Sequence, residues 1–171
     1  DAELTKASMS SPRDEHNNAD GTLRIGSGWC SDTFEQYRRF ANKLFNASKY
    51  VMMQLPEDFK PLPLNENKFV AVDRWIIYKF SECLRSIEDD FRNYNFEKIQ
   101  GRLYEFLWFD FCDWYIEFTK VDVGNKETQQ QILFTILEQS LRALHPIMPF
   151  ITEEIWQTLK TNDDKGFIAF A

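Results

Sequence analysis

Leu103 to Phe118 reads LYEFLWFDFCDWYIEF, and this stretch decides the fold. Leucine, isoleucine or an aromatic ring stands at eleven of these sixteen positions: Leu103, Tyr104, Phe106, Leu107, Trp108, Phe109, Phe111, Trp114, Tyr115, Ile116 and Phe118. Wound as a helix from about Phe96 to Lys120, they clothe nearly the whole circumference rather than one stripe. A surface helix has one apolar face, so a rod with this girth of rings belongs inside a shell of other helices. It is expected to be the central post of a bundle.

The flanking sequence supplies the shell. Downstream of Asp32, which with Thr33 is a candidate N-cap followed by Glu35 in the first turn, Phe40, Leu44, Phe45, Ser48, Val51, Met52 and Leu55 follow helical spacing until Pro56 stops them. Residues 56–69 carry Pro56, Pro61 and Pro63 with Asn65 and Asn67, a loop. A second helix is expected from about Asp73 to Arg92, with Ile76, Phe80, Cys83, Leu84, Ile87 and Phe91 inward. Asn93-Tyr94-Asn95 breaks it, and Asn95 is placed to cap the central helix. After a turn at Asp122 to Asn125, a fourth helix is expected from about Lys126 to Leu144, ended by His145-Pro146 because a residue before proline avoids helical angles. A short fifth starts near Pro149, suited to a first-turn position, and reaches about Lys160. The expected fold class is all-α, an antiparallel bundle of about five helices over residues 32–160. Residues 1–31, polar and turn-rich, read as a linker. Residues 161–171 read as a fraying end or a short strand, the start of a C-terminal segment.

Composition agrees. The 171 residues include 16 Phe, 6 Tyr and 5 Trp but only 6 Gly and 6 Pro, which favours long elements over a turn-rich sandwich. The net charge of −7 excludes a wholly basic nucleic-acid coat. It leaves room for a local basic face, because phosphate contacts act within about a Debye length, roughly 8–10 Å. Residues 1–55 balance seven acids with seven bases, and between Gln36 and Leu55 stand Arg38, Arg39, Lys43 and Lys49 with no acid. Cys30, Cys83 and Cys112 form no CxxC pair, so free thiols in a reducing compartment are expected rather than zinc. No segment is long and apolar enough to span a bilayer.

Catalytic signatures are missing. The sequence holds no phosphate loop, HExxH, GxSxG elbow or EF-hand loop, and neither His16 nor His145 follows a glutamate at the spacing of a di-iron bundle. Asp110 and Asp113 invite an acid–base reading, but ion pairs or hydrogen bonds to a neighbouring helix's Arg or Lys account for them more simply. His145 reads as a cap or packing residue. No catalytic residue, metal ligand or cofactor is assigned to this chain. The outer face of the first helix is different in kind. At 100° per residue, Arg39, Lys43, Asn46 and Tyr50 fall within an arc of about 60°, opposite the apolar stripe and so expected to face solvent. A cation for phosphate, an amide for a base edge and a ring for stacking are what recognition of a single-stranded loop uses. A solvated helix face with one exposed tyrosine is the plainer alternative.

Four segments together resemble a known family. Arg39-Phe40-Ala41-Asn42-Lys43-Leu44-Phe45-Asn46-Ala47 resembles the opening helix of the anticodon-binding domain of class I aminoacyl-tRNA synthetases, of the valyl type. Asp73-Arg74-Trp75-Ile76 resembles the start of its second helix, and Tyr104 to Trp108 with Phe111 to Glu117 its central helix. His145-Pro146-Ile147-Met148-Pro149-Phe150 through Trp156 resembles its closing segment. The resemblance implies a domain that docks the anticodon arm of a valine tRNA. It implies a parent cytoplasmic enzyme that uses ATP, with a catalytic domain of the same chain joined through residues 1–31. Lys43, Asn46 and Tyr50 match family positions that face the anticodon; Arg38, Arg39, Asn42 and Lys49 match less specifically, as phosphate contacts. Trp108, Trp114 and Trp156 match as packing residues. An isoleucyl- or leucyl-type bundle and a helical protein-interaction scaffold are the alternative readings.

Overall fold

The computed structural model describes residues 32–121, 124–159 and 166–170. The expected linker over residues 1–31, with Cys30, lies outside them, as do the side chains of the candidate caps Asp32 and Thr33 and of Glu35. The chain divides into two units, Asp1–Arg39 and Phe40–Ala171. Of the first, only residues 32–39 are described, and they are helical.

Five long helices make the fold of the described residues. α1 is Asp32–Gln54, α2 Ala71–Arg92, α4 Lys126–Leu144 and α5 Pro149–Thr158. α3 is one rod of three windings: α-helical Phe96–Glu105, π-helical Phe106–Tyr115 and α-helical Ile116–Thr119. No strand occurs among the described residues; the tail that was a fray-or-strand alternative ends in a short 3-10 turn at Ile168–Phe170. The class is all-α.

The partners of α3 give the directions. Asp90, Lys79 and Asp73 of α2 meet Arg102, Asp110 and Tyr115 of α3 in that order, so the two run antiparallel. Phe40, Lys43 and Tyr50 of α1 meet Tyr104, Trp108 and Thr119, so α1 runs parallel to α3. The reversal between α2 and α3 is a Schellman turn. Tyr94 N–H donates to Phe91 O and Asn95 N–H to Asp90 O, with Tyr94 in the left-handed region at φ 59°. Asn95 occupies the N-cap position as expected, but its side chain makes no capping hydrogen bond.

Asp73 is not the first residue of α2, which begins two residues earlier at Ala71. Its carboxylate instead accepts from Val70 N–H at 3.2 Å and from Tyr115 O–H at 2.9 Å, fully buried. The loop 56–69 is clamped by one α4 side chain: Gln131 accepts from Leu62 N–H and donates to Lys60 O. α4 starts and stops at the expected residues, with the Asn125 side chain accepting from Thr128 N–H; His145, before Pro146, nonetheless keeps helical angles at φ −55° and ψ −41°, contrary to the reason expected for the stop. At the far end His145 Nδ1 lies 2.9 Å from Thr152 Oγ1, which makes His145 a structural tie between α4 and α5.

The core is one cluster of side chains from α1 to α5, including Phe40, Val51, Ile76, Leu103, Phe111, Ile136 and Trp156. α3 is not sheathed on all sides. Phe106, Leu107, Phe111 and Tyr115 are sealed, while Phe109 and Trp114 are more than half exposed, at 51% and 57%. Winding is the reason. Within the π-helical stretch the bonds close over five residues, as Ile116 N–H to Phe111 O shows, so residues five apart share a face. Phe109 and Trp114 therefore fall together on the outside, and Phe106 and Phe111 together on the inside. Phe91, expected inward, is also exposed, one turn before the α2–α3 corner.

Candidate nucleic-acid interface

The seam between α1 and α3 holds two of the seven candidate residues singled out from the sequence, Lys43 and Tyr50. Phe40 lies against Tyr104, ring centroids 5.0 Å apart, and Tyr104 stacks on Trp108 at 5.3 Å. One turn on from Phe40, the Lys43 ammonium sits 3.8 Å above the Trp108 ring and 2.6 Å from Asp113 Oδ1. A cation is attracted by both the ring's quadrupole and the carboxylate, so its long side chain is held in one place. Only 24% of the Lys43 side chain is exposed, against 49% for Asp113. The pairing is the one expected of Asp113; its neighbour Asp110 likewise faces Lys79 of α2 at 3.3 Å.

Further along, Thr119 donates to Ile116 O at 2.7 Å, which leaves its oxygen to accept from Tyr50 O–H at 3.1 Å. Lys120 Nζ lies 5.4 Å from the centre of the Tyr50 ring and 2.5 Å from Glu117. Tyr50 is half-buried.

The arc drawn on an isolated helix thus divides into two. Lys43 and Tyr50 lean into the seam and are neither open to solvent nor sealed. Asn42, Asn46 and Lys49 are exposed, at spacings of four and three that keep them on one face. Lys49 carries its ammonium 4.5 Å over the Phe45 ring. Arg38 and Arg39 are exposed residues of the first unit. Sequence reasoning missed the clamp of Trp108 and Asp113 on Lys43, and the Thr119–Lys120 pair on Tyr50. Both join residues about seventy positions apart, for which a single sequence carries no signal. Trp114, assigned to packing, is exposed and stacks on Phe118 at 6.0 Å, whereas Trp156 is buried and donates its Nε1–H to Gly166 O.

Three ionisable groups outside this row are governed by burial: Cys83, Cys112 and Tyr115. Burial pushes the Cys83 thiol up to about 11 and the Cys112 thiol up to about 12, so both stay protonated and poorly nucleophilic at neutral pH. Burial, reinforced by Asp73, raises the Tyr115 phenol far above its ordinary value. No group of three or more His, Cys, Asp or Glu side chains converges on a metal-sized site among the described residues. Nor is any helix among them long and apolar enough to cross a membrane.

Comparison with known proteins gives a consistent result. Residues 73–171 match the family described as the anticodon-binding domain of tRNA ligase. The chain is 42% identical over 138 residues to the valine–tRNA ligase of Pseudothermotoga lettingae, covering 80% of this chain and 16% of that protein. It is 43% identical over 138 residues to that of Thermotoga maritima, with the same two coverages. A third relative, the valine–tRNA ligase of Syntrophotalea carbinolica, is 43% identical over 135 residues, 75% of this chain and 15% of that protein. The chain therefore spans about one sixth of the length of these relatives. With its all-α bundle and a match over more than half its length, the chain belongs to the anticodon-binding domain family of tRNA ligases.

Proposed function

We propose that this chain binds the anticodon arm of a valine tRNA through α1, as one domain of a valine–tRNA ligase. The observation that carries the reading is the arrangement on α1: two exposed amides, Asn42 and Asn46, and the exposed Lys49 run beside an ammonium fixed by Trp108 and Asp113. An amide donates and accepts at once, which suits a base edge, and a lysine is a point charge for phosphate. Tyr50 offers a ring face at the end of the same row. The family match, over residues 73–171, and the valine–tRNA ligase relatives support the domain and its parent enzyme; the placing of the tRNA on α1 rests on the geometry. In the parent enzyme, proposed to be cytoplasmic, ATP-dependent joining of valine to the tRNA belongs to a catalytic domain of the same polypeptide. The part proposed for these residues is to position the tRNA.

Titration of valine tRNA with the chain and with Asn46→Ala, Lys43→Ala and Tyr50→Ala tests the proposal. Binding is expected to weaken about tenfold for Asn46→Ala, in line with about 1–3 kcal/mol for a good base contact. Affinity is expected to fall steeply with salt through counterion release. Variants that keep their helical circular dichroism and bind as well as the parent would remove α1 as the recognition surface.

A further inference from the structure

Beyond the α1 row lies a cleft of about 390 Å³, walled by the ends of α1 and α3 and by the start of α4. Its lining is polar. Tyr50 and Gln54 come from α1, Thr119 and Lys120 from α3 and its end, and Lys126 and Gln130 from the first turns of α4. Leu133, buried, forms an apolar floor. We propose that this cleft receives one unpaired nucleotide of the bound RNA, its base against Tyr50 and the glutamines and its phosphate at Lys126. The inference rests on the RNA-binding reading above and gives it a second site, on three helices instead of one.

Size and chemistry both point this way. Small-ligand pockets run from about 300 to 1,000 Å³, so this one suits a single compact group and not an extended one. Ring, amide and ammonium occur together at its rim, each matched to one part of a nucleotide: base face, base edge and phosphate. The two lysines are not equivalent. Lys120 is engaged by Glu117 at 2.5 Å, whereas Lys126 is exposed and enters no ion pair among the described residues. Lys126 is therefore the cation assigned to phosphate. Gln130 is already oriented, since its Nε2–H₂ donates to Gln54 O, and a fixed amide discriminates between base edges better than a free one. A second cleft of similar size, about 400 Å³ beside α5, offers the contrast. Phe150, Phe167 and Phe170 line it with Glu153, Glu154 and His145, and no lysine or arginine stands among its described lining residues, so it is the poorer match for a phosphate.

The test uses the 171-residue chain and a hairpin RNA carrying the anticodon stem and loop of valine tRNA, with 2-aminopurine placed at each loop position in turn. One position is expected to change fluorescence on binding, and Lys126→Ala and Gln130→Leu to reduce that change. Lys126→Ala should weaken binding three- to tenfold and reduce the salt slope by about 0.7, the value for one phosphate of a single strand. Retained helical circular dichroism excludes loss of fold as the cause. The proposal is overturned if the hairpin binds and Asn46→Ala weakens it, yet Lys126→Ala and Gln130→Leu leave affinity, salt slope and every fluorescence signal unchanged. In that case α1 alone is the recognition surface. No binding of the hairpin by the unaltered chain would overturn the RNA reading and the cleft together.

Discussion

At the start of α2, the central helix meets its neighbour through groups shut away from water: Asp73 and Tyr115 are both fully buried and joined at 2.9 Å, while the Lys79–Asp110 and Arg102–Asp90 pairs farther along are partly exposed. Along α1, the same helix meets its neighbour through groups left partly wet, with Asp113 half exposed beside Lys43 and Tyr50 half-buried beside Thr119. The Asp73–Tyr115 contact is closed and satisfied, so its polar groups serve the fold. The α1 seam keeps cation, amide and ring within reach of solvent at little structural cost. The difference teaches where to look for a binding surface in a helical bundle: at the contacts whose polar groups remain accessible.

The largest expected effect falls on the closed contact. Asp73→Ala leaves the Tyr115 hydroxyl and Val70 N–H without their acceptor in a buried place, so the unfolding free energy should drop by about 2–3 kcal/mol in urea titration. Adding Tyr115→Phe should recover part of that loss, because removing both partners spares the stranded hydroxyl. On the open seam Asp113→Asn should change stability by less than about 1 kcal/mol, since exposed ion pairs contribute little. A comparable stability loss at both contacts would erase the contrast.

The smallest effect concerns acid. A hydrogen bond from Arg102 holds the Asp90 carboxyl below its ordinary value of 3.8, and the ionised form is thus favoured in the folded state. That contribution is present above the ordinary value and is lost as pH falls through the lowered one. Asp90→Asn should therefore show a shallower loss of stability below about pH 4 than the parent, measured by thermal melts across pH.

How far the sequence could be read depended on whether local spacing or distant contact decided the matter. α4 was legible to the residue, because Asn125 caps it and Pro146, with no N–H to donate, closes it, although His145 itself keeps helical angles. The end of α1 at Pro56 was legible for the same reason. The outer rings of α3 were misread because a wheel of 3.6 residues per turn does not describe a rod wound over five, and Phe109 and Trp114 move to one face only in that winding. At the candidate interface, Asn42, Asn46 and Lys49 stand exposed as their helical phase requires. Lys43 and Tyr50 do not, because Asp113, Trp108 and Thr119 reach them from the far side of the fold.

Tyr94 shows what it takes to lay α2 and α3 side by side. A left-handed backbone strains any residue with a β-carbon by about 1–2 kcal/mol, and glycine is the usual occupant of this turn position. Here a ring that is 80% exposed stands there instead. The hairpin of the two rods is thus kept bent by its neighbours' packing and not by the preference of its own corner. Unpick that packing, and this bend is the place where the chain would spring straight.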